Sequence, residues 1–523
     1  MGSPMHRKSV GVALVVAVLI AATISYEALQ PDTRRIGRIL AAYQEPGTYA
    51  DIAIEYPLDG TLFPPELPPP TFHWKDSHPR SRRWLVHVAF ADGKPGWDAL
   101  VRRPRWTPGM QDWQSFKERS LEQDARVTIL GVGRGGADRI LSRARLSLRT
   151  SKDPVGAPLF YREVVLPFEE ADRDPSRIRW RFGPIDSMPP VVLQNLPVCA
   201  NCHSFSHDGT ILGMDADYAR NKGAYVITQV KEQMTLTPAD IISWNDYEPP
   251  GMGFGLLSQV SPDGRYVIST VKDFAVFLPR PPLAFSQLFF PVKGILCTYD
   301  RQTRQFRALA GADEPNLVQS NPEWSPDGKS IVFARAQAAD LSLARGQGFS
   351  PLTRGDCEVL IRDGKPFQFD LYRIAFNEGR GGAPEPLAGA SNNGMSNYFA
   401  RYSPDGRWIV FCRAKSYMLL QPDSELYIIP SEGGDARRLR CNTGRMNSWH
   451  TWSPNGKWLV FASKGYSDYT QLCLTHIDDN GDSTPPVLLS HLTAPDRAAN
   501  IPEFVNARPQ AIVHIREQFL QGP

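Results

Sequence analysis

Residues 197–209 read Pro-Val-Cys-Ala-Asn-Cys-His-Ser-Phe-Ser-His-Asp-Gly. Cys199, Cys202 and His203 combine types and spacing that could do chemistry. Two thiols separated by two residues can form thioethers with the two vinyl groups on one edge of a porphyrin. The imidazole that follows at once is then carried beneath the ring, within reach of an iron. C-x-x-C-H is accordingly the attachment pattern of c-type haem, with Cys199 and Cys202 as covalent anchors and His203 as the proximal ligand. The same atoms allow other chemistries. With His207 they form a four-ligand zinc set with C-x₂-C and H-x₃-H spacings, although the adjacency of Cys202 and His203 strains a closed tetrahedron. A dithiol redox pair needs a βαβ surrounding that the neighbouring sequence lacks. A plain disulfide or two buried thiols complete the set.

The elements that must position this motif announce themselves by repetition. LSQVSPDGRYVIS (257–269), NPEWSPDGKSIVF (321–333), ARYSPDGRWIVF (400–411) and HTWSPNGKWLVF (450–461) share one plan. An apolar or aromatic residue leads into Ser-Pro-Asp/Asn-Gly, and a strand with period-2 patterning follows. Pro presets φ and Asp-Gly or Asn-Gly supplies the φ > 0 turn, so each copy predicts a hairpin of two antiparallel strands. HSFSHDGTILGM (203–214) and IPEFVNARPQAIVHI (501–515) fit the plan more loosely. Six units at irregular spacing predict propeller blades with loop insertions. The sixth keeps only two strands. RIRWRFGPI (177–185) and PVVLQNL (190–196) are the candidates to complete it and close the ring, which would remove the exposed sheet edge.

Over roughly 199–515 these repeats resemble the WD40-like propeller repeats of TolB-type periplasmic proteins. The resemblance implies that the stretch before each Ser-Pro-Asp-Gly is a blade's innermost strand, facing the central channel. Aligned on the turn, His203 then falls where Ser258, Pro322, Ala400, His450 and Pro502 fall. The haem motif would replace the start of one inner strand, and the propeller axis would become the haem pocket. His450 is the other histidine at the equivalent position and the candidate distal ligand. Its alternative role is a hydrogen-bonding histidine lining the channel. Met446, Met395 and Met214 are lesser thioether candidates, and an open sixth position is a further alternative. His207, four residues from His203 in a turn, is badly placed to reach the opposite face.

Upstream, residues 47–170 carry short runs rich in β-branched and aromatic residues, broken by Pro, Gly and Asp. FHW, WLVHV, VTILGV and ARLSLRT resemble the strand rhythm of an immunoglobulin or fibronectin-type β-sandwich, with Trp74 or Trp84 as the buried tryptophan. The expected fold class is therefore all-β: an N-terminal signal-anchor helix (1–30), a linker (31–46), the sandwich (47–170) and a six-bladed propeller (171–523). Aromatics at 10%, with 46 prolines and 41 glycines, suit many short strands and tight turns.

The N-terminus has a different texture. His6-Arg7-Lys8 precedes a run from Ser9 to Tyr26 without a charged residue, which reads as an export signal long enough to span a bilayer. The bulk of the protein is then expected outside the cytoplasm, anchored in the inner membrane and facing the periplasm, or free in it if the signal is cleaved. A formal charge of +3 over 523 residues offers no basic field for nucleic acid. Of the seven cysteines, Cys297, Cys357, Cys412, Cys441 and Cys473 mostly fall in apolar strand-like runs and read as small buried hydrophobes. PLAFSQLFFPV (282–292) reads as an outer strand or packed insertion, or as a lid or docking surface. No G-x-S-x-G elbow, P-loop or dinucleotide fingerprint occurs.

Together these features resemble an exported monohaem c-type cytochrome built on a TolB-like propeller. The resemblance implies one covalent haem c, one-electron transfer and a redox partner among periplasmic or envelope proteins. An interaction scaffold with a structural or sensory haem, and a peroxidase-like enzyme with an open distal site, are the alternatives.

Overall fold

The computed structural model describes residues 32–133, 139–248, 253–342 and 350–518. The apolar run expected to be a signal anchor lies outside the described residues. Among the described residues no helix is long and apolar enough to cross a membrane.

The protein is all-β and divides into two compact units, Met1–Lys152 and Asp153–Pro523. In the first, a helix at residues 32–42 precedes eight strands. Seven form one hydrogen-bonded path: Trp97–Val101, Ser81–Phe90, Ala125–Gly133, Ile140–Thr150, Ala50–Tyr56, Phe72–Asp76 and Arg105–Trp106. Ala50–Tyr56 changes partner along its length. Ala50 and Asp51 pair with Ile140–Thr150, and the residues from Ile52 onward pair with Phe72–Asp76. Trp74 and Trp84 are both buried, with ring centroids 6.3 Å apart. The expected boundary at residue 170 falls too late. Leu159–Val165, buried at every position, belongs to the second unit.

The second unit is a β-propeller, built from the repeat. In each copy the Ser hydroxyl donates to the Asp or Asn side chain two residues on and accepts an amide from the start of the next strand. Ser325 Oγ to Asp327 Oδ1 is 2.7 Å, and Ser330 N to Ser325 Oγ is 2.9 Å. The same pair of bonds recurs at Ser206, Ser261, Ser403 and Ser453. The glycine that closes each turn sits at φ between 68° and 73°, where a Cβ is disfavoured. Each turn thus joins an inner strand to a buried second strand such as Trp408–Ala414 or Trp458–Ser463.

Four four-stranded antiparallel sheets stand separately. They begin at Ala200–Phe205, Ser396–Tyr402, Asn447–Trp452 and Arg497–Phe504. An eight-stranded sheet contains two further sets, led by Leu256–Val260 and Leu317–Trp324 and joined by the parallel bridge Gly294–Val318. These six leading strands touch one another in cyclic order, the last against the first. Closure is made by strands from both ends of the unit. Leu159–Val165 pairs antiparallel with Arg497–Phe504, and Arg179–Gly183 and Val191–Gln194 lie outside it. The strand expected after IPEF is not the partner of that segment. His514–Glu517 instead pairs in parallel with Gln233–Leu236. All seven cysteines are free thiols, and the five outside the motif are fully buried.

Candidate functional site

The register of the six leading strands decides what faces the axis. Five have a pairing irregularity between the fifth and second residues before the turn serine or the equivalent position, as at Leu256/Gln259 and Ser448/Thr451, and in the strand that holds the motif it lies one residue earlier, at Ala200/His203. At the fourth residue before the turn, Leu257, Asn321, Phe399, Trp449 and Ile501 adopt φ between 48° and 58°. An extra residue in a strand reverses which side chains point to which face. Consequently Cys202, Leu257, Trp449 and Ile501, all at the fourth position, line one large cavity. Gln259, Glu323, Arg401, Thr451 and Glu503, at the second position, line a smaller one on the side of the turns. The third position, which holds His203, Ser258, Pro322, Ala400, His450 and Pro502, lines neither. The expectation that third-position side chains face the axis is therefore off by one residue.

Cys199 and Cys202 both open on the larger cavity, here termed the hub cavity, where Phe254, Phe277, Phe289, Leu419, Leu420 and Trp449 supply apolar wall. Part of that wall is the hairpin of Tyr266–Pro279 and Gln287–Asp300, which contains the aromatic run at 282–292. Burial pushes the Cys199 thiol up to about 11 and raises that of Cys202 further, so both are protonated at neutral pH. Asp215 Oδ2 accepts from Cys202 N at 3.2 Å. Burial raises the Asp215 carboxyl well above its usual range.

His203 does not line the hub cavity. Its ring meets Phe160 edge-on with centroids 4.7 Å apart, and neither ring nitrogen makes a well-formed hydrogen bond. The carbonyls of Phe160 and Ile501 lie beside it, and Glu503 Oε2 is 4.0 Å from Nε2. Burial depresses the imidazole to about 3, keeping it neutral. His450 is equally buried and also depressed to about 3. Its Nε2 contacts Val410 O at 3.0 Å and its Nδ1 lies 3.8 Å from Cys412 Sγ. His450, too, does not line the hub cavity. Met446 and Met214 are fully buried and Met395 is half-buried, and none of them lines the hub cavity. His207 is exposed in its turn, beside the second cavity. Among the described residues no group of three or more His, Cys, Asp and Glu has metal-binding geometry, so the zinc set from Cys199, Cys202, His203 and His207 is not assembled.

Tested against a c-type haem, the attachment half of the motif fits: two thiols share one large, mainly apolar cavity. The imidazole half does not present itself there, because a side chain adjacent to Cys202 along the strand leaves on the other face.

Sequence reasoning missed Arg162, Asp215 and Lys464, which line the hub cavity and are 4%, partly and 4% exposed. The sequence does hold a signal for the first: LFYREVV places two charges inside an otherwise apolar run. Glu163 explains itself by accepting from Arg179 Nε at 2.5 Å and Arg181 Nε at 2.7 Å. Arg162, on the opposite face of the strand, has no carboxylate partner among the described residues.

No protein-family model and no curated protein matches the chain. Among solved structures, TolB from Acinetobacter baumannii is 14% identical with a TM-score of 0.41, over 73% of this chain and 79% of that one. A putative TolB from Agrobacterium tumefaciens is 16% identical at 0.35, over 66% and 98%. Kuenenia stuttgartiensis hydrazine synthase is 13% identical at 0.31, over 57% and 70%. The propeller assignment rests on the ring of strands described above.

Proposed function

We propose that the chain is an exported, membrane-anchored monohaem c-type cytochrome on a six-bladed TolB-like propeller, the eight-stranded sheet being two blades joined at one bridge. The preceding unit is read as an immunoglobulin-like sandwich. One observation carries this reading: both thiols of a C-x-x-C-H motif open on a single large, mainly apolar cavity. Cys199 and Cys202 would hold the haem as thioethers. Bound there, the group supplies one-electron redox chemistry.

The chain's own residues set the conditions. Phe254, Phe277, Phe289 and Trp449 exclude water and lower the local dielectric around the ligand. His203 is the imidazole free to be recruited, since leaving its niche breaks no well-formed hydrogen bond. His450 would give up its contact with Val410 O. That contact favours a second reading, a peroxidase-like enzyme with an open coordination position.

Expression of the full chain alongside haem-attachment machinery tests the proposal. The expected product is heavier than the polypeptide by one haem and keeps its haem stain on a denaturing gel. C199A/C202A should lose both signals. Matured wild-type protein of bare polypeptide mass refutes the reading.

A further inference from the structure

The hub cavity holds two buried cations that thioether attachment leaves unused. Arg162 is 4% exposed. Its Nη1 donates to Asn201 Oδ1, its Nε has no partner, and the guanidinium forms no ion pair among the described residues. Asp215 is the nearby carboxyl; its Oδ2 accepts the Cys202 amide and makes no ion pair with Arg162. Lys464 is also 4% exposed, and its Nζ donates to the Leu283 carbonyl at 2.6 Å. The third cation on the wall, Lys222, is matched by Asp217. A charge removed from water is costly unless it is paired. Asp172, Asp215 and Asp217 also line the cavity, yet neither Arg162 nor Lys464 forms an ion pair among the described residues, and the space beside both cations is the cavity itself.

We propose that the hub cavity takes an amphipathic carboxylate, with its apolar body against Phe277, Phe289 and Trp449 and its carboxylate groups bound by Arg162 and Lys464. The planar fork of Arg162 suits bidentate carboxylate binding, and Lys464 acts as a point charge. The proposal rests on the reading of the cavity as a tetrapyrrole site, because a haem is one member of this class and carries two propionates.

The test removes the covalent step. Full-length C199A/C202A protein, made without attachment machinery, is titrated with metal-free mesoporphyrin as the free diacid and as its dimethyl ester. Binding is followed by quenching of tryptophan emission, to which Trp449 on the cavity wall contributes. The diacid should bind at least about tenfold more tightly than the ester, the scale of one charge-assisted hydrogen bond. Adding R162Q or K464Q should each reduce that preference while leaving ester affinity unchanged, which also reports an intact cavity. R162K should restore part of it.

Equal affinity for diacid and ester overturns the proposal. So does a preference that survives both substitutions, or no binding of either form. Covalent attachment is read separately, from the mass of the matured wild-type protein, so failure of the carboxylate clamp and failure of the haem reading are distinguishable.

Discussion

Glu503 makes the stability of the propeller depend on pH over a window that can be isolated. Its side chain is 17% exposed, and its Oε1 accepts from Phe205 N at 3.0 Å. Burial, reinforced by the charge of Glu323, outweighs the attraction of Arg401 and raises the carboxyl from 4.5 to about 8. Between those values the folded state holds a proton that the unfolded state has lost, so rising pH favours unfolding. Each pH unit in this range costs about 1.4 kcal/mol, or roughly 2 kcal/mol from pH 6.5 to 8. His203 and His450, depressed from 6.5 to about 3, act with the opposite sign and elsewhere. Below pH 6.5 the unfolded chain gains a proton on each histidine while the folded chain does not, so their contribution falls as pH falls and is flat above 6.5. Of these three groups, only Glu503 works in the upper window.

E503Q keeps the Oε1 acceptor for Phe205 and removes the titration. Guanidinium unfolding of wild type and E503Q, followed by tryptophan emission in half-unit steps across about pH 6.5–8, should show the wild type losing about 2 kcal/mol relative to the variant. From pH 6.5 down to 4.5, E503Q should lose stability more steeply than wild type, because Glu503 no longer opposes the histidines. A difference between the two proteins that stays constant across the upper window refutes the reasoning.

Four further outcomes follow from the same geometry. H203F replaces an imidazole whose nitrogens lack well-formed hydrogen bonds, so it should leave apo-protein stability nearly unchanged. H450F breaks the contact with Val410 O and should cost about 1–3 kcal/mol, as read by the same unfolding assay. E163A strips two arginines, Arg179 and Arg181, of a fully buried partner in the closing sheet, and should cost about 3–5 kcal/mol and lower the melting temperature accordingly. D327A removes the acceptor for Ser325 Oγ and Lys329 N in one turn and should cost about 1 kcal/mol; a much larger loss would mean that the turn is not locally independent.

The ring was legible because its signal is chemical as well as periodic. A Ser hydroxyl, an Asp oxygen and a Gly at positive φ form one small hydrogen-bonded unit, and few other residues can replace them. The bulge next to it was not legible. It asks for positive φ at positions held by Leu257, Phe399, Trp449 and Ile501, residues with no preference for that conformation, so the surrounding sheet imposes it. A one-residue error there moves every side chain to the other face, which is why His203 and His450 read as axial. The closing strand was missed for a different reason. LFYREVV looks like any buried strand, and its partner Arg497–Phe504 lies more than three hundred residues away in sequence.

The bulge also explains how one strand can carry a motif whose parts face different surroundings. Cys202 occupies the fourth position before the turn and opens on the axis with Leu257, Trp449 and Ile501, so the hub cavity receives thiol from one strand and apolar surface from the others. His203, one residue on, is turned toward Phe160 and reaches to 4.0 Å from Glu503. Glu503 lines the second cavity, which is rimmed by Gln259, Glu323 and Arg401. The axis is thus divided in kind: a thiol-bearing, mainly apolar half, and a polar half in which Glu323 pairs with Arg401. His203 stands at the boundary between them, neutral and without a well-formed hydrogen bond.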